Sequence, residues 1–287
     1  MNSIPHTGEW EILSSPSVMQ KRYEAMGNTT GKDLKKYADM LREAESTRKA
    51  IPPLTELDST LSIDDAYGIQ LANVEEVVKA GHVISGKKIG LTSTGIQQQL
   101  GVNEPDYGHL FAAMDCPEGK VEIDKLMQAK IEGEIAFILK EDLTGGNVTA
   151  EDVRNATDYV VAAFEVVDSR VADWKIKLVD TVADNASSGR YVLGEKKVAL
   201  SEIDLPNVPM TLTKNGEVVG EGKGSAVLGD PAVAVAWLAN KLWGYGVALK
   251  KGEVILSGAF SAAPEASRGD EFVADFGPMG KVSAKFV

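Results

Sequence analysis

With 287 residues, 44% of them hydrophobic, the chain has material for one large domain, or for a domain with a smaller appendage, around a sizeable core. Its net charge of −12 argues against a nucleic-acid partner, but not against a small anion, because a bound dication can reverse the local field of one pocket. No apolar run reaches the roughly eighteen residues of a membrane span, the N-terminus lacks the order of a secretory signal, and the single cysteine, Cys116, excludes an intrachain disulfide and a thiolate zinc site, so a cytoplasmic location is the default.

Residues 1–30 are polar and irregular and read as an N-terminal arm or an oligomer contact. Residues 31–82 read as a helical N-terminal part. Leu34, Tyr37, Ala38, Leu41 and Ala44 recur at helical spacing between Lys32 and Ala50, and Pro52 and Pro53 end that segment. Ser62 with Asp65 is a capping pair, after which an apolar stripe runs to about Gly81. Residues 83–287 then change to strands and glycine-rich loops. The spacing predicts strands over 131–139, 160–169, 253–258, 270–276 and 281–287, and a hairpin over 210–220 with its turn at Asn215-Gly216. Thr149 with Asp152 opens a short helix, and Asp230-Pro231 starts a longer one that Gly244 closes. No internal repeat is present. The fold class read from this order is α+β.

Glu132 and Glu134 lie two apart in a strand, so both carboxylates face one side, about 7 Å apart at the backbone. Taken alone, the pair fits a solvated strand face as well as a site. Glu165 shifts that balance, because it interrupts a second apolar strand with nothing basic nearby, and a buried carboxylate needs a proton or a cation. Three such glutamates suit Mg2+ or Mn2+ and leave coordination positions for water and substrate. The three histidines are too scattered for a histidine site. In Gly86-Lys87-Lys88-Ile89-Gly90-Leu91-Thr92-Ser93 the order of a phosphate loop is absent. Lys87 reads as a surface loop lysine. Asp184-Asn185-Ala186-Ser187 reads by pattern alone as a plain turn. GEGKGS over 220–225 lacks the strand-turn-helix context of a dinucleotide loop.

GKKIGLTS (86–93), QQQLGV (97–102), PDYGHLF (105–111), KIEGEIAFIL (130–139), FEVVDSR (164–170), VDTVADNASSG (179–189) and the C-terminal LSGAF and RGDEFVADFGPMGKVSAKFV together resemble the 2-keto-4-pentenoate hydratase family, within the fumarylacetoacetate-hydrolase-like superfamily. The resemblance runs in consistent order from about residue 34 to the end. It implies a mixed β-rich roll-like core of the fumarylacetoacetate-hydrolase C-terminal type with flanking helices. It also implies Mg2+ or Mn2+ on Glu132, Glu134 and Glu165, and a compact homo-oligomer, pentamer or decamer. Lys88, Asp106 and Asp184 are the catalytic residues that it implies, while Ser187 and Leu91 are expected against the substrate.

The activity implied is hydration of 2-hydroxypenta-2,4-dienoate, or a close homologue, to a 4-hydroxy-2-oxo acid in aromatic meta-cleavage catabolism. Lys88 is expected to transfer a proton or hold charge, with its pKa pushed down beside a dication. Asp184 or Asp106 is expected to orient or deprotonate the water, and Ser187 to bond the substrate carboxylate. QQQLGV and VDTVADNAS look closer to the hydratases than to the sister 4-oxalocrotonate decarboxylases. The C-terminal segment also resembles hydratases of 2-oxohept-4-ene-1,7-dioate. An acylpyruvase would need a histidine context that His82 and His109 lack. A non-catalytic scaffold subunit, and association with a pathway partner enzyme, remain open alternatives.

Overall fold

In a computed structural model, residues 33–287 are described; the predicted N-terminal arm lies outside them. Helix α1 (Leu34–Thr47) starts where the Asp33 side chain accepts the Lys36 N–H, and buries the predicted Leu34, Tyr37, Ala38, Leu41 and Ala44. It stops before the prolines because Arg48 turns left-handed at φ 57°. A short turn α2 (Leu54–Leu57) leads to α3 (Ile63–Lys79), which opens on the predicted Ser62–Asp65 capping box and packs along α1.

The chain then enters β1 (Ile84–Gly90), helix α4 (Thr94–Leu100) and β2 (Asp106–Phe111). The two-residue β3 (Lys120–Val121) is followed by the long β4 (Lys130–Leu139), α5 (Ala150–Ala156) on its Thr149–Asp152 box, and β5 (Thr157–Val167). Helix α6 (Leu178–Ala183) and β6 (Ser188–Leu193) come next. The hairpin of β7 (Pro209–Lys214) and β8 (Glu217–Lys223) turns at Asn215 and Gly216, both at positive φ, as a two-residue hairpin loop demands. Helix α7 (Pro231–Trp243) begins with Asp230 as N-cap and ends at Gly244, which stays right-handed; the left-handed residue that redirects the chain is Gly246. Strands β9 (Val254–Leu256), β10 (Glu271–Asp275) and β11 (Lys281–Phe286) finish the fold.

Two sheets form, one in the order β2-β1-β9-β4-β5-β6 and one in the order β3-β11-β10-β7-β8. One face of the six-stranded sheet packs on the second sheet, where Ile131, Ile135 and Phe164 join Met210, Phe272 and Phe276 in a core that also takes in Leu41, Tyr67 and Ile69 from the helices. The helical residues therefore share one core with the sheets. The six-stranded sheet also curls until β2 approaches β6, and Asp115, just past β2, bridges to Tyr191 of β6. That curl makes an inner face. Leu110, Ala136, Val161, Ala163, Tyr191 and Leu256 pack together on it as a second, smaller apolar cluster. Among the described residues no helix is long and apolar enough to cross a membrane.

Candidate metal and active site

Side chains two apart on a strand share a face, and the register of the curled sheet puts the predicted glutamates on its inner side. Glu132 pairs with Glu165 across β4 and β5, and Glu134 is the next inward residue along β4. Each glutamate offers one carboxylate oxygen, and the three oxygens lie within 4.8 Å of one another. Glu134 and Glu165 are buried, and Glu132 is half-buried. Glu134 Oε2 accepts the Gly258 N–H at 2.8 Å, Glu134 Oε1 and Glu165 Oε2 accept no hydrogen bond, and Glu165 Oε1 has only the Lys88 ammonium beside it.

Three carboxylates this close cannot all stay charged in a buried place without a counter-ion. Burial pushes Glu165 up to about 7, with Lys88 pulling it back and Glu132 adding to the rise. Glu134 is raised well above the carboxylate range by burial, then by Glu165 and Glu132. Glu132 is raised by burial, with Lys88 opposing. Buried, unbonded, convergent oxygens on rigid strands are a donor set that fits a hard divalent ion.

Lys88 and Asp106 stand beside the triad. Lys88 lies on β1 with its Nζ 3.3 Å from Glu165 Oε1, and donates to the Ala186 carbonyl at 2.9 Å. Burial pulls its ammonium down, but Glu165, Asp106, Glu132 and Glu134 more than offset that, so its pKa lies above the ordinary lysine value. The expected downward shift is thus reversed where the carboxylates alone surround it. Asp106 is buried with Oδ1 unbonded, and burial raises its carboxyl, with Lys88 opposing. Gly90 keeps a space open between the two: a Cβ there would stand 2.3 Å from Asp106 Oδ1 and 3.3 Å from Lys88 Nζ.

The remaining predicted site residues are placed differently. Asp184 is not among the converging oxygens. Its Oδ1 takes the Arg170 Nε at 2.5 Å and its Oδ2 the Arg170 backbone N–H at 3.0 Å. Arg170 also donates to the Asp184 and Ser188 carbonyls. Burial pushes the Asp184 carboxyl up to about 6, with Arg170 pulling it back. This ion pair clamps Asn185, Ala186 and Ser187, which are left-handed in succession at φ 53°, 49° and 55°. Such a turn costs non-glycine residues of order 1–2 kcal/mol each. What the clamp secures is the Ala186 carbonyl that holds Lys88. Ser187 Oγ sits 3.2 Å from Thr181 Oγ1, and the left-handed Leu91 gives its carbonyl to Gln97 Nε2. The segment read as a plain turn, Asp184 to Ser187, is a turn, but a strained left-handed one that follows helix α6 directly.

Lys87 corrects a second expectation. It is not a surface loop lysine: neighbours on a strand face opposite ways, and Lys87 is buried against Glu253 at 2.5 Å. Glu253 lies 166 positions away, so nothing local in the sequence marks the pair. Arg170, a cation in FEVVDSR at the end of an apolar strand, was the available signal for the clamp.

Residues 103–287 match the family described as fumarylacetoacetate (FAA) hydrolase C-terminal. The chain is 45% identical over 249 residues to a 2-hydroxyhexa-2,4-dienoate hydratase of Comamonas testosteroni, covering 86% of this chain and 94% of that protein. It is 44% identical over 250 residues to a 2-keto-4-pentenoate hydratase of Paraburkholderia xenovorans, covering 87% and 93%. Among solved structures, a 4-oxalocrotonate decarboxylase of Pseudomonas putida, complexed with magnesium and adipate, superposes with a TM-score of 0.86 at 37% identity, covering 88% of this chain and 97% of that one. With this identity over most of its length and the family match over 103–287, the chain belongs to the 2-keto-4-pentenoate hydratase family, within the fumarylacetoacetate hydrolase fold family.

Proposed function

We propose that the protein is a Mg2+- or Mn2+-dependent hydratase that adds water to 2-hydroxypenta-2,4-dienoate, or a short alkyl homologue, giving a 4-hydroxy-2-oxo acid. The observation that carries the reading is the triad of Glu132, Glu134 and Glu165, with buried, unbonded oxygens converging beside Lys88 and Asp106. When bound, the ion supplies Lewis-acid stabilisation of negative charge on the substrate's 2-oxygen. The three glutamates hold it, and the Gly258 N–H fixes the Glu134 carboxylate.

Lys88 keeps a proton at Nζ, steadied by the Ala186 carbonyl; it delivers that proton to the substrate's far carbon and takes up the proton of the 2-hydroxyl, so that the dienol becomes a 2-oxo-3-enoate with no net gain of protons. Asp106, whose Oδ1 faces the gap left by Gly90, is the acceptor that orients the water for carbon 4. Asp184 then serves as a positioning residue, through Arg170 and the left-handed turn, because both its oxygens are engaged. Ser187 and Leu91 contribute to the wall around the substrate from their constrained backbone.

The higher identity to hydratases than to the decarboxylase favours addition of water over loss of CO2. The proposal extends to a cytoplasmic homo-oligomer, which sedimentation of the purified protein checks. The test of activity is a paired assay with Mg2+ present or chelated. One sample holds 2-hydroxypenta-2,4-dienoate and the other 4-oxalocrotonate. Metal-dependent loss of the first without CO2 supports the hydratase; CO2 from the second alone overturns it in favour of the decarboxylase.

A further inference from the structure

Strand β2 ends the six-stranded sheet, so one of its edges has no strand paired to it. In an antiparallel strand the N–H and C=O of one residue point to the same edge, and so do those of the residue two along. At Tyr107 and His109 that edge is taken by two side-chain amides. Gln70 of α3 gives its Nε2 to the Tyr107 carbonyl at 3.0 Å and to the Val182 carbonyl of α6 at 2.8 Å. Asn185 takes both groups of His109: its Oδ1 accepts the N–H at 2.8 Å, and its Nδ2 donates to the carbonyl at 2.9 Å. The Asn185 amide thus stands where a residue of a neighbouring strand would.

This staple presses the left-handed turn onto β2. At Gly108, which is opposite Lys88 in the β1–β2 register, an added Cβ would lie 2.3 Å from the Asn185 carbonyl oxygen. The next residue of the turn is Ala186, whose carbonyl accepts from Lys88 Nζ at 2.9 Å. That carbonyl is a neutral partner for an ammonium otherwise attracted by Glu165, Asp106, Glu132 and Glu134. Were the turn to slacken, the ammonium would be drawn onto Glu165, which is already 3.3 Å away. The left-handed φ of Asn185 does not by itself call for an amide, since glycine adopts that conformation more readily and makes no such bonds.

Resting on the hydratase reading for the reaction, we propose that Asn185 is a positioning residue: it fastens the turn to β2, and so holds the Ala186 carbonyl where it keeps Lys88 Nζ off Glu165 and available to the substrate. Arg170 braces the same turn from the segment after β5, through Asp184, and Asn185 braces it from β2. Loss of the staple removes no contact to the substrate, so its effect falls on kcat rather than KM.

The experiment compares Asn185→Gly with Asn240→Ala in the Mn2+-loaded protein. Glycine accepts the left-handed φ but cannot staple. Asn240 makes the same pair of bonds to the Val148 backbone, at 2.8 and 2.9 Å, and neither residue belongs to the site, so its variant reads the cost of losing such a contact alone. With the dienoate, Asn185→Gly should lower kcat about tenfold to a hundredfold and change KM by less than about twofold, while Asn240→Ala keeps the wild-type kcat. A crystal structure of Asn185→Gly should show Lys88 Nζ no longer bonded to the Ala186 carbonyl. An unchanged kcat, a loss carried by KM, an equal loss of kcat in Asn240→Ala, or Lys88 still bonded to Ala186 would overturn the proposal. Absence of hydration by the wild type would remove the hydratase reading instead, and the place of Lys88 in the variant crystal would still decide whether Asn185 positions it.

Discussion

Replacing Arg170 with Met removes the clamp behind Lys88 while keeping much of the side-chain volume. In the wild type the guanidinium meets Asp184 Oδ1 and the carbonyls of Asp184 and Ser188, and both side chains of the pair are buried. The variant leaves the Asp184 carboxylate with only the backbone N–H of position 170. Breaking one side of a buried pair costs about 3–5 kcal/mol. For a chain of this length, that lowers Tm by about 5–8 °C. The sign with pH follows from the carboxyl, which burial raises and Arg170 pulls back to about 6. Without Arg170 it rises further, so the loss should be larger at pH 8, where ionisation is forced, than at pH 5, where the carboxyl is protonated. Thermal unfolding at fixed protein concentration with saturating Mg2+ reads both effects. Adding Asp184→Leu to the variant should recover most of the stability but not the turnover, because the Ala186 carbonyl loses its support. A single-variant loss below about 1 kcal/mol, or no recovery in the double variant, would refute the reasoning.

Two further perturbations read other parts of the site. Gly90→Ala puts a methyl group into the space between Asp106 and Lys88, so turnover should fall about a hundredfold while stability drops only about 1–3 kcal/mol; steady-state rates beside denaturant unfolding would show the split. His109 is buried, donates from Nδ1 toward Gln70 Oε1, and is lowered to about 3 by burial and by Lys87. The unfolded chain therefore binds one more proton than the folded chain between about pH 3 and 6.5, and stability is lost as pH falls through that window. Going from pH 6.5 to 5, His109 accounts for about 2 kcal/mol, and His109→Gln should remove that part of the slope in unfolding curves.

The sequence carried the triad unusually clearly, for a physical reason. Carboxylates at strand spacing inside apolar runs have few structural explanations, and Glu165 opposite Glu132 needed only the pairing of two strands that each looked like strands. Capping boxes at Ser62 and Thr149, the Asn215-Gly216 turn and the Asp230-Pro231 start are local signals, and local structure follows them. What stayed hidden depends on distance along the chain. Lys87 meets Glu253 only once β1 pairs with β9, and Asp184 meets Arg170 only once the chain has turned through α6. The left-handed run through Asn185, Ala186 and Ser187 carries no glycine to announce it, since tertiary clamping rather than local preference holds it.

The central claim is that the three inward glutamates hold the ion on which hydration depends. Mn2+ titration followed by electron paramagnetic resonance, with turnover of 2-hydroxypenta-2,4-dienoate measured on the same samples, tests it in wild type and Glu134→Gln. The account predicts one Mn2+ per chain in the wild type, and loss of both binding and turnover in the variant with an unchanged circular dichroism spectrum. Wild-type Mn2+ binding and full hydration by Glu134→Gln would contradict it.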